Sequence, residues 1–402
     1  MKTKVTVIGL GYVGLGLAIN ASRKFQVIGL DLDENKILKL NQGSSYIEDI
    51  SEFVLKQAVN SGNFTPTSDP ALISDSEVVI ICVPTPLDSN RNPDLTYISK
   101  ACDLIASNLL NPALIINEST SYPGTLREFI SKRISSQSKI EHEYAVSPER
   151  VDPGNTKWTQ KNTPRLVAGL TEEATKRASA FYQNFCDEIL EVSSPEIAET
   201  AKLFENTFRQ VNIALVNELA IICNALQINV NDVINAAATK PYGFMKFNPG
   251  PGVGGHCIPV DPTYLAFKAE QSGIKARFID LSNEINLDMP KYVIKRSEEL
   301  LGNLKDKKLV LVGVAYKSDI ADIRETPAEL IKNLAISKGA KVEWFDPLVE
   351  NWESGKVNSL QKGKYDLAIV QTLHNTMNQN EIKESAEVVL DCTGKLNNVE
   401  SI

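Results

Sequence analysis

One cysteine stands at the end of a run rich in glycine and proline, NPGPGVGGHCIPVDP, which covers residues 248–262. Its glycines, Gly254 among them, leave little side-chain bulk and its prolines stiffen the backbone, so the run predicts a preorganised loop. Cys257 lies four residues before the carboxylate of Asp261. From this stretch alone, a reactive thiol held against a ligand and a buried structural cysteine are equally good interpretations, because free cysteines usually behave as small apolar residues.

The first residues predict a dinucleotide-binding turn. VTVIGLGYVGLGLAIN places an apolar run before three glycines in a GxGxxG pattern, and the next apolar run, QVIGLD, ends in an acid. In a Rossmann unit the glycines let the backbone and a helix N-terminus approach a pyrophosphate, and the acid accepts from ribose hydroxyls. Residues 32–34 contain no base to hold a 2′-phosphate, so NAD is predicted rather than NADP. The predicted contacts here are Gly9, Gly11, Tyr12, Val13, Gly14 and Asp31.

Further apolar runs over 77–84, 113–120 and 143–150 predict strands of the same parallel sheet. Ligands gather at the carboxyl ends of such strands, so the polar residues found there are candidates to line one crevice. Ordinary capping or turn chemistry is favoured for one of them, Glu118, and is an equal alternative for Thr85. The candidates at these strand ends are Thr85, Glu118, Thr120 and Glu149.

Residues 195–226 predict one long, largely buried helix, because they are apolar over most of the helical surface and contain no breaker after the first residue. Lys202 and Asn206 lie four residues apart and so share a face. A lysine in apolar surroundings is costly unless it meets an anion or reaches solvent, and both alternatives stay open. The remainder of this helix is a candidate dimer surface.

The last third returns to alternating strands and helices, over 307–317, 340–347, 365–372 and 386–392. This predicts a second parallel α/β unit that lacks a full GxGxxG. Lys317 and Arg324 follow its first strand and would suit a phosphate, although a solvated salt-bridge loop is the default.

Composition excludes several classes of protein. Among 402 residues, 42 basic against 50 acidic side chains give a net charge of −8, which disfavours nonspecific nucleic-acid binding. Six cysteines without a CxxC pair predict a reducing, cytoplasmic environment and no metal site. No apolar run is long enough to predict a membrane span.

These segments together resemble the UDP-sugar 6-dehydrogenases of the UDP-glucose/GDP-mannose dehydrogenase family. The similarity runs over essentially the whole chain: GLGYVGL, VPTPL, ESTSYPGT, SPERVDPGN, KLFENTFRQVNIALVNEL, PGPGVGGHCIPVDP and VAYKSDIADIRETP. Three of these segments look most like the branch that acts on N-acetylated sugars such as UDP-N-acetylglucosamine. The family's arginine upstream of the cysteine has no counterpart, since Pro241 stands there with Lys240 and Lys246 nearby.

The resemblance implies an α/β fold with two Rossmann-like, doubly wound parallel-sheet domains joined by a long central helix, paired into a homodimer through that helix. The implied division is an NAD-binding domain over 1–194, a central helical, dimerisation and catalytic-cysteine region over 195–300, and a UDP-binding domain over 301–402. The implied reaction oxidises the C6 alcohol of a UDP-sugar to a carboxylate with two NAD and supplies precursors for surface polysaccharide.

The resemblance also implies roles for individual residues. The Cys257 thiol would carry a thiohemiacetal and then a thioester. Lys202 and Asn206 would stabilise the oxyanion at the C6 oxygen. Thr120, Glu149 and Asp261 match positions that hold water or move protons, with Glu149 favoured for thioester hydrolysis. Arg324 is expected at the cofactor with Thr85 and Thr120, and the substrate contacts are expected to be Glu149, Arg150, Lys202, Asn206, Lys246, Gly254 and Lys317.

Other functions remain as alternatives. Within the family, the substrate could be UDP-N-acetylmannosamine or UDP-glucose. Outside it, the chain could be a two-electron dehydrogenase of the 6-phosphogluconate type or an inactive nucleotide-binding regulator, and the set of Cys257, Lys202 and Asp261 speaks against both. His256 adjoins the cysteine, but neighbours in an extended segment point to opposite sides, which disfavours a Cys/His dyad.

Overall fold

Short apolar runs become buried strands in the computed structural model, which describes residues 2–47, 50–152, 155 and 157–402. Pro153 and Gly154 of the SPERVDPGN segment lie outside the described residues. The chain forms two compact units. The first comprises Met1–Glu205 with Thr263–Ser272, and the second comprises Asn206–Pro262 with Gly273–Ile402.

The first unit is built on one sheet, which is parallel except for the antiparallel pairing of β6 with β7. Its strands are β1 (Lys4–Ile8), β2 (Gln26–Leu30), β3 (Phe64–Thr67), β4 (Val78–Ile81), β5 (Leu114–Asn117), β6 (Glu143–Val146), β7 (Arg165–Gly169) and β8 (Ile189–Glu191). The spatial order is β3-β2-β1-β4-β5-β6-β7-β8. Strand order therefore reverses between β1 and β4, which is where such sheets bind dinucleotides.

Helices cover both faces of this sheet. They are α1 (Tyr12–Ser22), α2 (Glu34–Asn41), α3 (Glu52–Asn60), α4 (Thr96–Asn108), α5 (Ser131–Gln137) and α6 (Glu172–Tyr182), with a 3-10 turn at Pro70–Ile73 and a π-helical turn at Thr125–Ile130. Side chains along β1 alternate between two apolar clusters: Val5 and Val7 belong to one and Ile8 to the other. Both faces of the sheet are thus buried against apolar side chains, as a doubly wound sheet requires.

The long helix predicted for 195–226 is confirmed as α7 (Pro195–Ala225). Proline at its first position is tolerated because that residue has no intrahelical N–H bond to lose. The expectation that α7 is largely buried is wrong for part of its surface, since Phe204 and Leu215 are each 60% exposed. Residues 195–205 of α7 belong to the first unit and the rest to the second.

The second unit contains a smaller, wholly parallel sheet in the order β10-β9-β11-β12-β13. The four strands predicted in this region are confirmed and a short fifth is added: β9 (Lys308–Val312), β10 (Lys341–Phe345), β11 (Tyr365–Val370), β12 (Ala386–Asp391) and β13 (Glu400–Ser401). The remaining helices are α8 (Val230–Ala237), α9 (Asp261–Gln271), α10 (Arg277–Leu301), α11 (Pro327–Ser337) and α12 (Gln379–Ser385). Leu309 and Val310 face opposite apolar clusters, so this sheet is also doubly wound.

The predicted fold class is therefore confirmed. The predicted three-part division by function stays a prediction, because the two units are defined by packing alone. Within the described part of the chain, no helix combines the length and apolar character needed to cross a bilayer. The same residues bring together no group of three or more His, Cys, Asp or Glu side chains able to hold a metal ion.

Candidate active site

The glycine turn after β1 leaves an open backbone face at the start of α1. Gly9 has a φ of +93°, and its N–H donates to Leu30 O at 2.8 Å. A Cβ on Gly9 would lie 2.4 Å from Cys82 O, and one on Gly14 would lie 1.9 Å from Gly9 O, so both positions require glycine. A Cβ on Gly11 would have no heavy atom within 4 Å other than those of its chain neighbours. This open helix N-terminus fits the pyrophosphate of NAD.

The acid at the end of β2 is held by the same turn. Asp31 Oδ2 accepts from the Leu10 N–H at 2.9 Å, and Oδ1 accepts from the Asp33 N–H at 3.0 Å. Lys36 Nζ, one turn into α2, lies 3.5 Å from Oδ2, so the nearest base pairs with this carboxylate. Each carboxylate oxygen can accept a further hydrogen bond, which leaves Asp31 able to bind ribose hydroxyls. A 2′-phosphate would meet this negative charge, and the site therefore favours NAD.

Two predicted threonines lie at the carboxyl edge of the same sheet. Thr85 follows β4 and is buried, and Thr120 follows β5 and is partly buried. Ser119 ties the two strand ends together, because its Oγ accepts from the Val83 N–H at 2.9 Å. Since β1, β4 and β5 are successive parallel neighbours, both threonines share the edge that carries the glycine turn. Tyr12 and Val13, in the first turn of α1, pack partly buried against the core.

A buried arginine links two acids at this sheet. Arg165 Nη1 lies 2.9 Å from Glu118 Oε1, and Nη2 lies 2.6 Å from Glu149 Oε2. Tyr182 donates its hydroxyl hydrogen to Glu118 Oε1. The other oxygen of Glu149 accepts from the Arg150 N–H at 2.7 Å. The prediction of ordinary turn chemistry for Glu118 missed this ion pair, and the base role of Glu149 stays a prediction.

Two predicted substrate contacts differ in how they are paired. Arg150 forms a two-armed ion pair with Glu205, at 2.6 and 3.2 Å, and donates to Pro164 O at 2.8 Å. Lys202, on α7, is only 8% exposed, and among the described residues its Nζ makes no ion pair. A lysine in such surroundings needs an anion or a route to solvent for its ammonium group, and the ligand role of Lys202 stays a prediction.

In the second unit, the predicted nucleophile stands on the turn before α9. Cys257 is exposed, whereas the other five cysteines are buried. The Cys257 carbonyl accepts from the N–H groups of Val260 at 3.2 Å and Asp261 at 2.8 Å. Exposure removes the alternative that this cysteine is a buried packing residue.

Two of the predicted catalytic side chains meet directly. Asn206 Nδ2 donates to Asp261 Oδ2 at 2.5 Å, and the Asp261 carboxylate is almost fully buried. Asn206 comes from α7 and Asp261 from the first turn of α9, so the contact joins residues 55 apart in sequence. The hydrogen bond fixes the orientation of the Asn206 amide. Lys202 lies one helical turn earlier on α7.

The glycines before Cys257 pack against the segment that follows β9. The Gly255 N–H donates to Arg324 O at 2.9 Å. A Cβ on Gly254 would lie 2.6 Å from Tyr316 Cβ, and one on Gly255 would lie 2.7 Å from the Tyr316 ring. The loop therefore needs glycine at both positions to reach its place. Burial and the charge of Arg324 lower the pKa of His256, which favours its neutral form.

The other predicted ligand contacts of the second unit lie on two loops. Lys246 Nζ donates to Asn235 Oδ1 at 2.7 Å. Arg324 pairs with Asp322 at 2.5 Å, as the salt-bridge alternative predicts. Lys317 lies on the same loop, five residues after β9 ends. Ligand roles for these cations stay predictions.

The sequence reasoning missed the acid at the end of β10. Asp346 Oδ2 accepts from the Val314 N–H at 2.8 Å and lies 3.0 Å from His374 Nε2. His374 Nδ1 accepts from the Asp319 N–H at 2.8 Å. The signal was present, because AKVEWFDP ends its apolar run in an acid as QVIGLD does. Arg165 was also missed, and a single base at a strand start gives no comparable signal.

Three family models match the chain in sequence order. The NAD binding domain of the UDP-glucose/GDP-mannose dehydrogenase family matches residues 3–186. The central domain of that family matches residues 196–288, and its UDP binding domain matches residues 310–398.

Individual relatives are similar to this chain over nearly its whole length. The UDP-N-acetyl-D-mannosamine dehydrogenase of Methanococcus aeolicus is 35% identical, with 98% of this chain and 92% of the relative covered. The UDP-N-acetyl-D-glucosamine 6-dehydrogenase of Salmonella typhi is 34% identical, over 94% of this chain and 91% of the relative. Among solved structures, the UDP-D-ManNAc dehydrogenase of Pyrococcus horikoshii superposes with a TM-score of 0.90 at 29% identity, covering 100% of this chain and 99% of its own.

Proposed function

Because the chain belongs to the UDP-glucose/GDP-mannose dehydrogenase family and is an NAD-dependent UDP-sugar dehydrogenase, we propose that it oxidises the C6 alcohol of UDP-N-acetylglucosamine to the uronate. The observation that carries the four-electron reaction is Cys257, an exposed thiol on a rigid glycine loop in a chain whose other cysteines are buried. A two-electron dehydrogenase of the 6-phosphogluconate type needs no such thiol, and an inactive regulator would not need to keep it accessible.

The thiol divides the oxidation into two steps that a two-electron acceptor can serve. Removal of a hydride and a proton from the C6 alcohol gives an aldehyde, and the Cys257 sulfur adds to its carbon to form a thiohemiacetal. Loss of a second hydride and proton gives a thioester. Water then adds to the thioester, which releases the carboxylate and regenerates the thiol. Bound NAD supplies the acceptor for each hydride.

Lys202 and Asn206 would stabilise the charge that develops on the C6 oxygen. The positive charge and the amide N–H groups suit an oxyanion, and both residues lie on α7, four positions apart. The hydrogen bond from Asn206 to Asp261 holds the amide in one orientation before substrate binds. Such preorganisation avoids reorganisation cost at the transition state.

Thr120 and Glu149 are the proposed groups for water and proton handling. Glu149 is our candidate for the base that activates the hydrolytic water. Its contacts with Arg165 and the Arg150 N–H fix the carboxylate in place but also compete for its lone pairs.

The N-acetyl group of the substrate is proposed from the segments ESTSYPG, SPERVDPGN and PGPGVGGHCIPVDP, which look like the branch acting on N-acetylated sugars. Relatives from Salmonella typhi and Pseudomonas aeruginosa carry the name UDP-N-acetyl-D-glucosamine 6-dehydrogenase. The second candidate substrate is UDP-N-acetylmannosamine, because relatives of similar identity from methanogens carry that name. The two sugars differ only in configuration at C2.

The proposed UDP contacts are Lys317, Lys246 and the backbone at Gly254, all in the second unit. Two cations on loops of this unit, Lys246 between α8 and α9 and Lys317 after β9, would offset the charge of a diphosphate. Arg150 is a further proposed substrate contact, and its ion pair with Glu205 holds the guanidinium in a fixed orientation. Arg324 is proposed to reach the cofactor.

A homodimer through α7 is proposed from its exposed apolar residues. Large side chains such as Phe204, Leu215 and Ile222 are 49–60% exposed in the single chain. Apolar residues gathered on one long helix usually mark an interaction surface. The proposed setting is the reducing cytoplasm, where free cysteines persist, and the proposed role is to supply precursors for surface polysaccharide.

The test is the stoichiometry of the reaction. The purified chain is incubated with NAD and, in separate reactions, UDP-N-acetylglucosamine, UDP-N-acetylmannosamine and UDP-glucose. We expect two NADH per molecule of UDP-N-acetylglucosamine and a uronic acid product. A ratio of one NADH with an aldehyde or ketone product would contradict the four-electron reaction, and faster turnover of UDP-N-acetylmannosamine would transfer the assignment to that sugar.

A further inference from the structure

Four buried polar side chains converge beside the proposed base, and we name them the Arg165 cluster: Glu118, Glu149, Arg165 and Tyr182. They come from the ends of β5 and β6, the start of β7 and the end of α6. The side chains of Arg165 and Glu118 are 4% and 0% exposed. Two acids thus share one buried guanidinium, although one acid would be enough to neutralise it.

The geometry of the cluster indicates that it holds a proton. Glu118 Oε1 accepts from Tyr182 and lies 2.9 Å from Arg165 Nη1, but Glu118 Oε2 is buried and has no hydrogen-bond partner among the described residues. An ionised carboxylate pays a large desolvation penalty for a bare oxygen, whereas a protonated carboxyl group tolerates one more easily. The cluster is electrically neutral when one of its two acids is protonated.

Electrostatics agree with this geometry. Burial, the largest cause, and the charge of Glu149 together raise the pKa of Glu118 to about 7, against the opposing charge of Arg165. The other titratable groups facing the cluster are Cys82 and Cys186, and burial raises the pKa of both thiols. They stay neutral near pH 7, so Glu118 is the group that changes charge there.

We propose that Arg165 and Glu118 are positioning residues for Glu149, with the charge of Glu118 setting how strongly Arg165 holds the Glu149 carboxylate. When Glu118 is neutral, the full charge of Arg165 acts on Glu149. When Glu118 is ionised, it offsets part of that charge, and Glu149 accepts a proton from water more readily. This inference rests on the proposed function of Glu149 in thioester hydrolysis.

The activity test compares pH profiles of uronate formation between pH 5.5 and 8.5. In the wild type, the rate of thioester hydrolysis should rise about tenfold through a step near pH 7, since one charge is added close to Glu149. Glu118→Gln should remove the step and keep the rate at its low-pH level. A profile of Glu118→Gln that retains the step would overturn the proposal.

Glu199→Gln is the matched control. Glu199 is also a buried acid of the first unit, with a pKa raised by burial to about 8, but its oxygens accept from the N–H groups of Gly124 and Leu126 rather than from Arg165. Glu199→Gln should keep the step near pH 7. If it removes the step while Glu118→Gln does not, the titrating group has been wrongly identified.

If Glu118→Gln does not fold, Tyr182→Phe provides the same test. It removes the hydrogen bond that favours the ionised form of Glu118 and leaves the ring 4.4 Å from the Arg165 guanidinium. The step should then move to higher pH, and an unmoved step would contradict the proposal.

Infrared difference spectra give a readout that needs no substrate. The wild type should show a protonated-carboxyl C=O band that disappears near pH 7, besides the band of Glu199 that disappears near pH 8. Glu118→Gln should lack the first band and keep the second. Absence of such a band in the wild type would overturn the inference. If the band is present but the wild type forms no uronate from any UDP-sugar, the proposed function fails while the titration of Glu118 stands, so the two failures can be told apart.

Discussion

The two sheets share one backbone arrangement, a glycine turn hydrogen-bonded to the neighbouring strand, but the acid beside this turn has a different role in each. In each, a glycine with positive φ follows the first strand and donates its N–H at 2.8 Å to the last residue of the neighbouring strand: Gly9 to Leu30 and Gly313 to Phe345. In each, the acid that follows that neighbouring strand accepts from the N–H after the glycine. A Cβ on Gly313 would lie 1.9 Å from Thr372 O, so this turn also requires glycine.

The difference lies in what surrounds each acid. Asp31 is accessible, with 13% of its side chain exposed, and its contacts leave room for further hydrogen bonds. Asp346 is 1% exposed and accepts from Val314, Leu348 and His374 as well as other backbone groups. The first acid can therefore serve a ligand, whereas the second serves the fold.

The chain after each glycine differs as well. α1 begins three residues after Gly9, but α11 begins only at Pro327, fourteen residues after Gly313. The longer segment carries Lys317 and Arg324, and it is fixed by His374 through the Asp319 N–H. Beside its glycine turn, one unit therefore carries a helix N-terminus and an accessible acid, and the other carries a loop with two cations. The same topology accordingly suits two different nucleotides.

Asp346→Ala is expected to have the largest effect in this comparison, and the effect is on the stability of the fold. The change would leave His374 and several backbone N–H groups unpaired in the core, which should lower the free energy of unfolding by about 3–5 kcal/mol. Urea unfolding followed by tryptophan fluorescence suits this test, because Trp344 and Trp352 both lie in the second unit. A loss below about 1 kcal/mol would show that the acid is not a structural requirement.

The same acid gives this contribution a pH dependence. Burial alone would raise the pKa of Asp346, but the hydrogen bond with His374 and those from backbone N–H groups outweigh burial and hold the pKa below its ordinary value. The stabilisation is therefore present above about pH 4 and is lost as the pH falls through the folded-state pKa. The stability difference between the wild type and Asp346→Asn should shrink on acidification below that point.

The next effect is on cofactor binding, from Asp31→Ala. Loss of a charge-assisted hydrogen bond to ribose should weaken NAD binding by roughly 1.5–3 kcal/mol, with a smaller effect on unfolding than Asp346→Ala has. Isothermal titration with NAD measures the affinity, and Asp346→Asn is the control that leaves the first unit untouched. Unchanged NAD affinity, or a wild-type preference for NADP, would contradict the role given to this acid.

The smallest effect concerns Lys36, which lies 3.5 Å from Asp31 and is 38% exposed. An exposed ion pair contributes only about 0.2–1 kcal/mol, so Lys36→Ala should change NAD affinity less than fivefold. Asp31→Ala is compared with the double variant that also carries Lys36→Ala. If Asp31→Ala binds NADP much more tightly than the wild type and the double variant does not, Lys36 can bind a 2′-phosphate once the acid is removed. The titrations with NAD and NADP measure both outcomes.

Local patterns were sufficient to predict most of the fold. The GxGxxG turn, α7 and most of the strands follow from apolar periodicity and glycine spacing, which act over a few residues. The strands β3, β7, β8 and β13 were not predicted. Asn206 and Asp261 were both predicted to be catalytic, but the hydrogen bond between them was not predicted, because it joins positions 55 apart in sequence. Arg165 could not be predicted as the partner of Glu118 and Glu149, because pairing across a sheet depends on strand order, and β7 reverses direction there.

The apolar surface of α7 shows a second limit of the sequence. Its pattern predicts burial, yet Phe204 is 60% exposed in the single chain. An apolar pattern indicates that a surface is buried, but it does not distinguish burial within the same chain from burial in an interface with another chain.

The central claim is that Cys257 forms a covalent bond with the substrate, and Cys257→Ala tests it most directly. Alanine removes the nucleophile and leaves unchanged the glycine backbone, Lys202 and the Asn206–Asp261 contact, so NAD and UDP-sugar should still bind. We predict that this variant, given NAD and UDP-N-acetylglucosamine, forms no uronate, because no thioester can form. Formation of uronate at near the wild-type rate would contradict the covalent mechanism and leave the glycine loop with a structural role alone.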